Sequence, residues 1–462
     1  MGVPGEGPDD PSSFEELCEL FWSLQSKLPP PFVKAVQDVR GTVLSLIFYK
    51  VVSDTYRGQL RKWTEEIGDE DLARDSDLYR FTVPQGHGWE ELRAQEENVD
   101  RFLNESLRAI EDANRQRLAG ISRVDYVREE ALTDRLLNRL VEHLSQYDLS
   151  LERIRPNVLG RAFVDFAQVL TDKKRGNQPP ETSETIARLM VRLVAPFEAG
   201  DRIYDPACGI GRLLMEVARH HREEQQEDPT RLFLAGQEIG PDQAALARMA
   251  FAISGFHGRV ERGDSLHAPK FAEGKALSQF DCVLADLPPP GQKPLPDVQD
   301  DPYGRFDWAD DLPEQNGDTW AFLMHITSQL GEEGEAAVAV PRPALQEAEP
   351  GLRKELVTRN LLRAVIGLDS AVFEDVPTGK VLLLLREDDV EAAGGEILFY
   401  QTPDADYVQV ERGRVGLRGK SAERIAEDVK RQAVEGDAGR VVPHDEIRRH
   451  DYALTPEAYH RD

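Results

Sequence analysis

The 462 residues carry 40% hydrophobic and 30% charged side chains, the balance of a globular protein, and the length suits two or three domains with buried cores. No run approaches the ~18 consecutive apolar residues of a membrane-spanning helix, so a membrane partner is excluded from the reading. The formal net charge of −28 excludes a surface basic enough overall to hold DNA by phosphate neutralisation, which needs Lys and Arg; a local basic groove or a partner chain would have to supply that grip.

Residues 1–13 are rich in Gly, Pro and Asp and lack the basic-then-apolar order of a signal peptide, so they read as a disordered lead-in. Phe14, Leu17, Cys18, Phe21 and Trp22 then recur at helical spacing. Val36, Val39, Val43, Leu44, Ile47, Phe48 and Val51 form a second apolar stripe. Arg123–Tyr147 predicts one or two further helices, with Glu129, Glu130, Arg135 and Arg139 on a solvated face. The polar stretch Glu65–Asn98 predicts little regular structure. Residues 14–170 thus read as an all-helical N-terminal domain.

The charged, Pro/Gly-rich segment Thr171–Thr182 is a linker, and Ser183–Val194 an amphipathic helix. From Arg202 short apolar runs alternate with helical segments: Arg202–Ala207, Leu232–Glu238, Phe280–Asp286, Glu335–Pro341, Leu361–Leu368 and Lys380–Glu387. That alternation predicts βαβ units and a largely parallel sheet, with the strand order open between doubly wound alternatives. Residues 171–400 form this α/β domain. Residues 401–462 read as a mixed C-terminal tail; around its start a hairpin is expected over Gly394–Val410, then a charged helix over Ser421–Ala433. Three widely spaced cysteines, Cys18, Cys208 and Cys282, make neither a disulfide framework nor a zinc site. No metal is expected, and a reducing cytoplasm is the natural compartment.

The strongest local signal is YDPACGIGRLL, Tyr204–Leu214: a strand ending at Asp205, a turn with Gly209 and Gly211, and a helix opening near Arg212. Glycines let the backbone approach a ligand closely, and the helix start offers free N–H groups. The next strand ends in Glu238, 27 residues after Gly211, where an acid can accept both ribose hydroxyls and disfavours a 2′-phosphate. The third strand end carries Asp264, placed to face an adenine edge. Glycine, acid and acid at three successive strand ends describe a nucleoside pocket. A dinucleotide would prefer the full G-x-G-x-x-G, and position 214 is leucine. The D-x-x-x-G-x-G form resembles class I methyltransferases, whose ligand is S-adenosylmethionine.

The likeness extends along the chain. Gly41–Asp54, Asn157–Phe166, the cofactor loop, Gly236–Gly255, Asn316–Pro341, Leu352–Phe373 and Asp451–Tyr459 resemble, in order, seven blocks of the type I restriction-modification modification subunits, which are N6-adenine DNA methylases. The resemblance implies a helical N-terminal domain, a class I methyltransferase, Rossmann-like α/β domain, and a C-terminal tail, 401–462, that docks a partner. It also implies S-adenosylmethionine as cofactor, held by Thr182, Asp205, Pro206, Ala207, Gly209, Gly211, Glu238, Ile239, Asp264 and Ser265. Implied partners are double-stranded DNA with a flipped adenine, a DNA-specificity subunit, a second copy of this chain, and in some systems a restriction or translocase subunit.

The sequence departs from that family at the catalytic loop. The family pattern is Asn-Pro-Pro-aromatic: the Asn carboxamide and a Pro carbonyl accept hydrogen bonds from the flipped adenine amine, and the ring stacks on the base. Here the chain reads Asp286-Leu287-Pro288-Pro289-Pro290-Gly291. Aligned from the left, Asp286 replaces Asn and Pro289 the aromatic. Aligned from the right, Leu287 replaces Asn and no polar acceptor remains. Either way the ring is missing, worth ~1–3 kcal/mol of base stacking, with Tyr303, Phe306 and Trp308 as nearby substitutes. The family's Tyr-Thr-Pro upstream is Glu181-Thr182-Ser183 here. Cys208, Cys282 and His325 read as packed residues and not as a nucleophile or base. Three functions follow: an active N6-adenine methyltransferase subunit, a catalytically impaired cofactor-binding scaffold of the same fold, or an NAD-dependent oxidoreductase on a similar sheet.

Overall fold

The computed structural model describes residues 11, 13–27, 36–74, 79–123, 133–172, 183–289, 295–307, 312–346, 350–372, 378–386, 395–409, 415–432 and 437–459. Most of the expected lead-in and linker, with Thr182, Pro290, Gly291 and Trp308, lie outside these residues. The chain divides into two compact units, 1–178 with 240–259, and 179–239 with 260–462.

The first unit is helical. Its longest helix, Val36–Ile67, buries Val43, Leu44, Ile47, Phe48 and Val51, the stripe read from the sequence. The helix Asp134–Leu144 opens on Thr133, whose hydroxyl accepts from the Leu136 N–H and satisfies one of the donors that a helix start leaves unpaired. Asp134 in turn accepts from the N–H groups of Asn98 and Val99, placing a carboxylate at the start of helix Val99–Ala113. The stretch Glu65–Asn98 is more ordered than its polarity suggests. It holds short helices Glu70–Ala73 and Trp89–Arg93, anchored by buried Ala73, Trp89 and Leu92.

Helix Pro241–Ser254, expected in the α/β domain from its place in the chain, belongs to this first unit. Its buried Ala244, Ala245, Ala247 and Ala250 give it a smooth face that packs closely on helix Pro156–Asp172. At the crossing stands Gly160, where an added Cβ would lie 1.7 Å from Ser254 Oγ. Gly160→Ala should therefore destabilise the protein by about 1–3 kcal/mol, the range for overpacking a close contact, and Gly160→Ala with Ser254→Ala should recover only part of it, since the Cβ of residue 254 still lies 2.9 Å from the added one. Urea midpoints of the two variants check this.

The second unit is built on a nine-stranded sheet: β1 (Arg202–Asp205), β2 (Phe233–Glu238), β3 (His257–Arg262, of which Val260–Arg262 fall in this unit), β4 (Phe280–Asp286), β5 (Leu330–Pro341), β6 (Leu362–Gly367), β7 (Lys380–Arg386), β8 (Glu396–Gln401) and β9 (Gly439–Pro443). Their order is β9-β8-β6-β7-β5-β4-β1-β2-β3. β2, β1, β4 and β5 run parallel, while β7 is antiparallel to both β5 and β6. The order reverses between β1 and β4, so ligands are expected at the carboxyl ends of these strands. Tyr204, Phe271 and Phe280 form a ring cluster under them, with Tyr204 and Phe280 stacked at 4.6 Å. The expected α/β class with a helical N-terminal region is thus found.

Two expectations need correction. Glu396–Gln401 is no hairpin arm: it pairs parallel to β6, because Ile397–Tyr400 are buried on both faces. Nor does 401–462 stand off as a tail. β9 extends the sheet antiparallel to β8, and Tyr459 packs on Phe399 with ring centres 4.2 Å apart. Its Leu454, Val442 and Ile447 join the core.

Candidate active site

The turn after β1 is fixed by its own polar groups. Asp205 accepts from the Ala207 N–H at 3.0 Å, and the Cys208 N–H donates to the Gln237 carbonyl, tying the turn to β2. Gly209 and Gly211 have φ of +55° and +91°, the left-handed region where a side chain is strained, and helix Arg212–Glu223 starts directly afterwards. No atom lies within 4 Å of where a Gly209 Cβ would stand, so the loop faces open space. Arg212 opens the helix, as the sequence suggested. The structure also brings the three acidic strand ends together. Glu238 accepts from the Gly209 N–H at 2.9 Å, and its own carbonyl accepts from the Gly263 N–H. Ser265 Oγ donates to the Pro206 carbonyl at 2.6 Å. Asp264 shapes its turn by accepting from the N–H groups of Leu266 and His267. Ile239, 40% exposed, offers an apolar surface beside Glu238.

Asp205 is only 2% exposed. Burial pushes its carboxyl well above the usual range, and the carboxylates of Glu238 and Asp286 push it the same way. Three acids therefore converge at the carboxyl ends of β1, β2 and β4. This is an electrostatic environment that a cationic ligand would relieve and a pyrophosphate would aggravate.

The two alignments of the catalytic loop place different residues at the strand end. Asp286 ends β4 and is partly exposed, whereas Leu287 is fully buried in the core with its N–H donating to Ala339 O. Pro288 and Pro289 follow, partly exposed. A residue missing from the sequence reading stands opposite. Lys380, the first residue of β7, is 2% exposed; its ammonium donates to Asp286 Oδ1 at 2.7 Å and to the Leu287 carbonyl at 3.1 Å. Its one signal in the sequence is a cation opening an otherwise apolar strand, KVLLLL.

Arg305 was missed as well. It is buried, paired with Asp301, and donates to the carbonyls of Ser265 (3.0 Å) and Leu266 (2.6 Å), so it braces the Asp264–Ser265 turn from below. Of the candidate stacking rings, Phe306 is buried in the core, and Tyr303 is half-buried beside the Arg305 guanidinium. His325 is fully buried 3.2 Å from Arg305; burial first, and then this cation, push it down to about 3, so it is neutral and no base at ordinary pH. Cys208 and Cys282 are buried.

Residues 160–462 match the N-6 DNA Methylase family and residues 22–144 the HsdM N-terminal domain. The chain is 27% identical to the Type I restriction enzyme MjaVIII methylase subunit of Methanocaldococcus jannaschii, over 90% of this chain and 74% of that protein. Among solved structures, the methyltransferase subunit of a type I restriction-modification system from Streptococcus thermophilus superposes with a TM-score of 0.81 at 19% identity, covering 97% of this chain and all (100%) of that one. A chain from a structure of type I R-M complex assembly gives 0.68 at 15% identity, covering 98% and 92%.

Proposed function

Since the chain belongs to the N-6 DNA methylase family, we propose that it is the modification subunit of a type I-like DNA-defence system, methylating adenine N6 in double-stranded DNA alongside a DNA-specificity subunit in the cytoplasm. The observation that carries this reading is the convergence of Asp205, Glu238 and Asp286 around a glycine turn that opens on free space. S-adenosylmethionine fits those residues. It has a nucleoside for Glu238, Ile239 and Asp264, and positive charge for the converging acids, and it supplies an electrophilic methyl group when bound. Thr182 joins this set by family resemblance alone. NAD fits poorly, because its pyrophosphate would approach the buried Asp205 carboxyl and position 214, where the dinucleotide pattern has glycine or alanine, is leucine.

In this reading Asp286, at the end of β4, takes the place of the family's Asn. A carboxylate accepts hydrogen bonds only, so it can orient the adenine amine and receive the proton that leaves after transfer. Leu287 supplies its carbonyl while its side chain stays in the core. Pro288 and Pro289 shape the loop. The net charge of −28 fits a division of labour in which partners read the sequence and make most phosphate contacts: the specificity subunit, a second modification subunit and, where present, a translocating restriction subunit.

The second reading, a cofactor-binding scaffold without transfer, is favoured by one observation: no aromatic ring occupies 287–289, where the base would stack. Sequencing host DNA for N6-methyladenine, with the gene intact and deleted, separates the two. Loss of the mark at one defined motif on deletion supports the enzyme; an unchanged methylation pattern contradicts it.

A further inference from the structure

Lys380 reaches the end of β4 from a distance that only the sheet explains. β5 lies between β4 and β7, with Ala339 opposite Asp286 on one side and Pro341 opposite Lys380 on the other. Both β4 and β5 end here, while antiparallel β7 begins here. The lysine can therefore extend over the end of β5 to the opening of the catalytic loop.

An ammonium that is 2% exposed carries a large desolvation cost unless it is paired and hydrogen-bonded. Lys380 has both: a carboxylate at 2.7 Å and a backbone carbonyl at 3.1 Å. Its two acceptors belong to consecutive residues of the loop that follows β4. The bonds therefore fix the Asp286 side chain relative to the Leu287 peptide, and Leu287 is held separately by the core and by Ala339. The charge also counts. Asp286 already disfavours ionisation of Asp205, so an uncompensated third carboxylate would work against the ionised state of the whole cluster.

We propose that Lys380 is a positioning residue for methyl transfer: it holds the Asp286 carboxylate and the Leu287 carbonyl in one arrangement and cancels the charge of Asp286, so that the pair does the work of one neutral polar side chain. This rests on the reading that Asp286 faces the acceptor amine. It implies that Asp286→Asn alone does not restore a family-like loop, because the carboxamide would face a buried ammonium that has lost its counter-charge.

The test compares four forms of the complex, purified from its host through a tag on this chain: native, Lys380→Met, Asp286→Asn, and the double variant. Each is measured for binding of S-adenosylmethionine and for transfer of its labelled methyl to DNA from a host lacking the chain. Each single variant is expected to lose roughly 100-fold in rate, the effect of misplacing a reacting group by about an ångström, with cofactor affinity held within about threefold. The double variant should regain rate to within about tenfold of native, since charge balance returns. A brace that only stabilised the fold would lower the melting temperature without this selective loss of rate and without its recovery in the double variant.

An active native complex in which Lys380→Met keeps its rate overturns the inference alone. Faster transfer by Lys380→Met also overturns it, since the lysine would then obstruct the loop's acceptors. A native complex that binds the cofactor but transfers no label contradicts the functional reading, and the inference falls with it.

Discussion

Asp205→Asn should bind S-adenosylmethionine roughly 10–100-fold more weakly than the native chain, the worth of a charged hydrogen bond, and yet melt at a higher temperature. Asn keeps an oxygen to accept from the Ala207 N–H, so the turn survives. The substitution removes the negative charge in a buried site already facing Glu238 and Asp286. Because the folded-state pKa of Asp205 is raised above its ordinary 3.8, the folded state holds its proton more tightly than the unfolded chain. Native stability therefore falls as pH rises from 3.8 toward that raised value, and the full penalty persists above it. The gain from Asn is then largest at neutral pH and vanishes in acid below the ordinary carboxyl range, with each kcal/mol worth roughly 2–4 °C. Cofactor affinity moves the other way. A cation favours the ionised acid, so native binding should strengthen with rising pH through the Asp205 titration, while binding by the variant should lack that component. Thermal melts and equilibrium binding across pH measure both. A variant less stable than native at neutral pH would show that the carboxylate is a structural element and not a destabilised ligand group.

Arg305→Met should cost about 3–5 kcal/mol of stability, the range for breaking a buried ion pair from one side. Arg305 and Asp301 side chains are 3% and 2% exposed, and the guanidinium also satisfies the carbonyls of Ser265 and Leu266. Methionine fills similar volume but leaves the Asp301 carboxylate without its cation and two carbonyls without their donor. Asp301→Asn with Arg305→Met should recover part of the loss, because the uncompensated charge is gone while the carbonyls still lack a donor. Cofactor affinity should fall in both variants as the Asp264–Ser265 turn loses its brace. Denaturant unfolding of the single and double variants checks this. Equal losses in the two would mean that the carbonyl bonds, and not the ion pair, carry the stability.

The sheet was legible wherever strands are apolar on both faces. β1, β2, β4, β5, β6 and β7 appear as short hydrophobic runs between turn residues, and parallel strands covered on both faces read that way. β3 was not legible: HGRVER lies at the sheet edge and has Val260 as its buried residue. Helix Val99–Ala113 was not singled out, although Val99, Leu103, Leu107 and Ile110 recur at helical spacing and form its buried face. Ile397–Tyr400 was an apolar run like the others, but no local signal distinguished a parallel partner from a hairpin.

In the site, the acids at Asp205, Glu238 and Asp286 could be found because each ends its own strand, and Asp264 because it sits in the turn GDSL just after one. Lys380 and Arg305 could not. The carboxylate that Lys380 meets lies 94 residues away, and the carbonyls that Arg305 braces lie about 40 away although its ion-pair partner Asp301 is local; such distant pairings depend on the tertiary fold, which periodicity does not encode. The same limit left the two alignments of Asp286–Gly291 open. Once Leu287 is known to lie in the core, the strand end presents Asp286.

The most direct test of the central claim is transfer of labelled methyl from S-adenosylmethionine to DNA by the complex of this chain with its specificity subunit, with the product nucleosides separated. Label is expected on N6-methyladenine, dependent on Asp286. Saturable cofactor binding with no label on adenine would contradict it, and would make the chain a scaffold that keeps the pocket without the reaction.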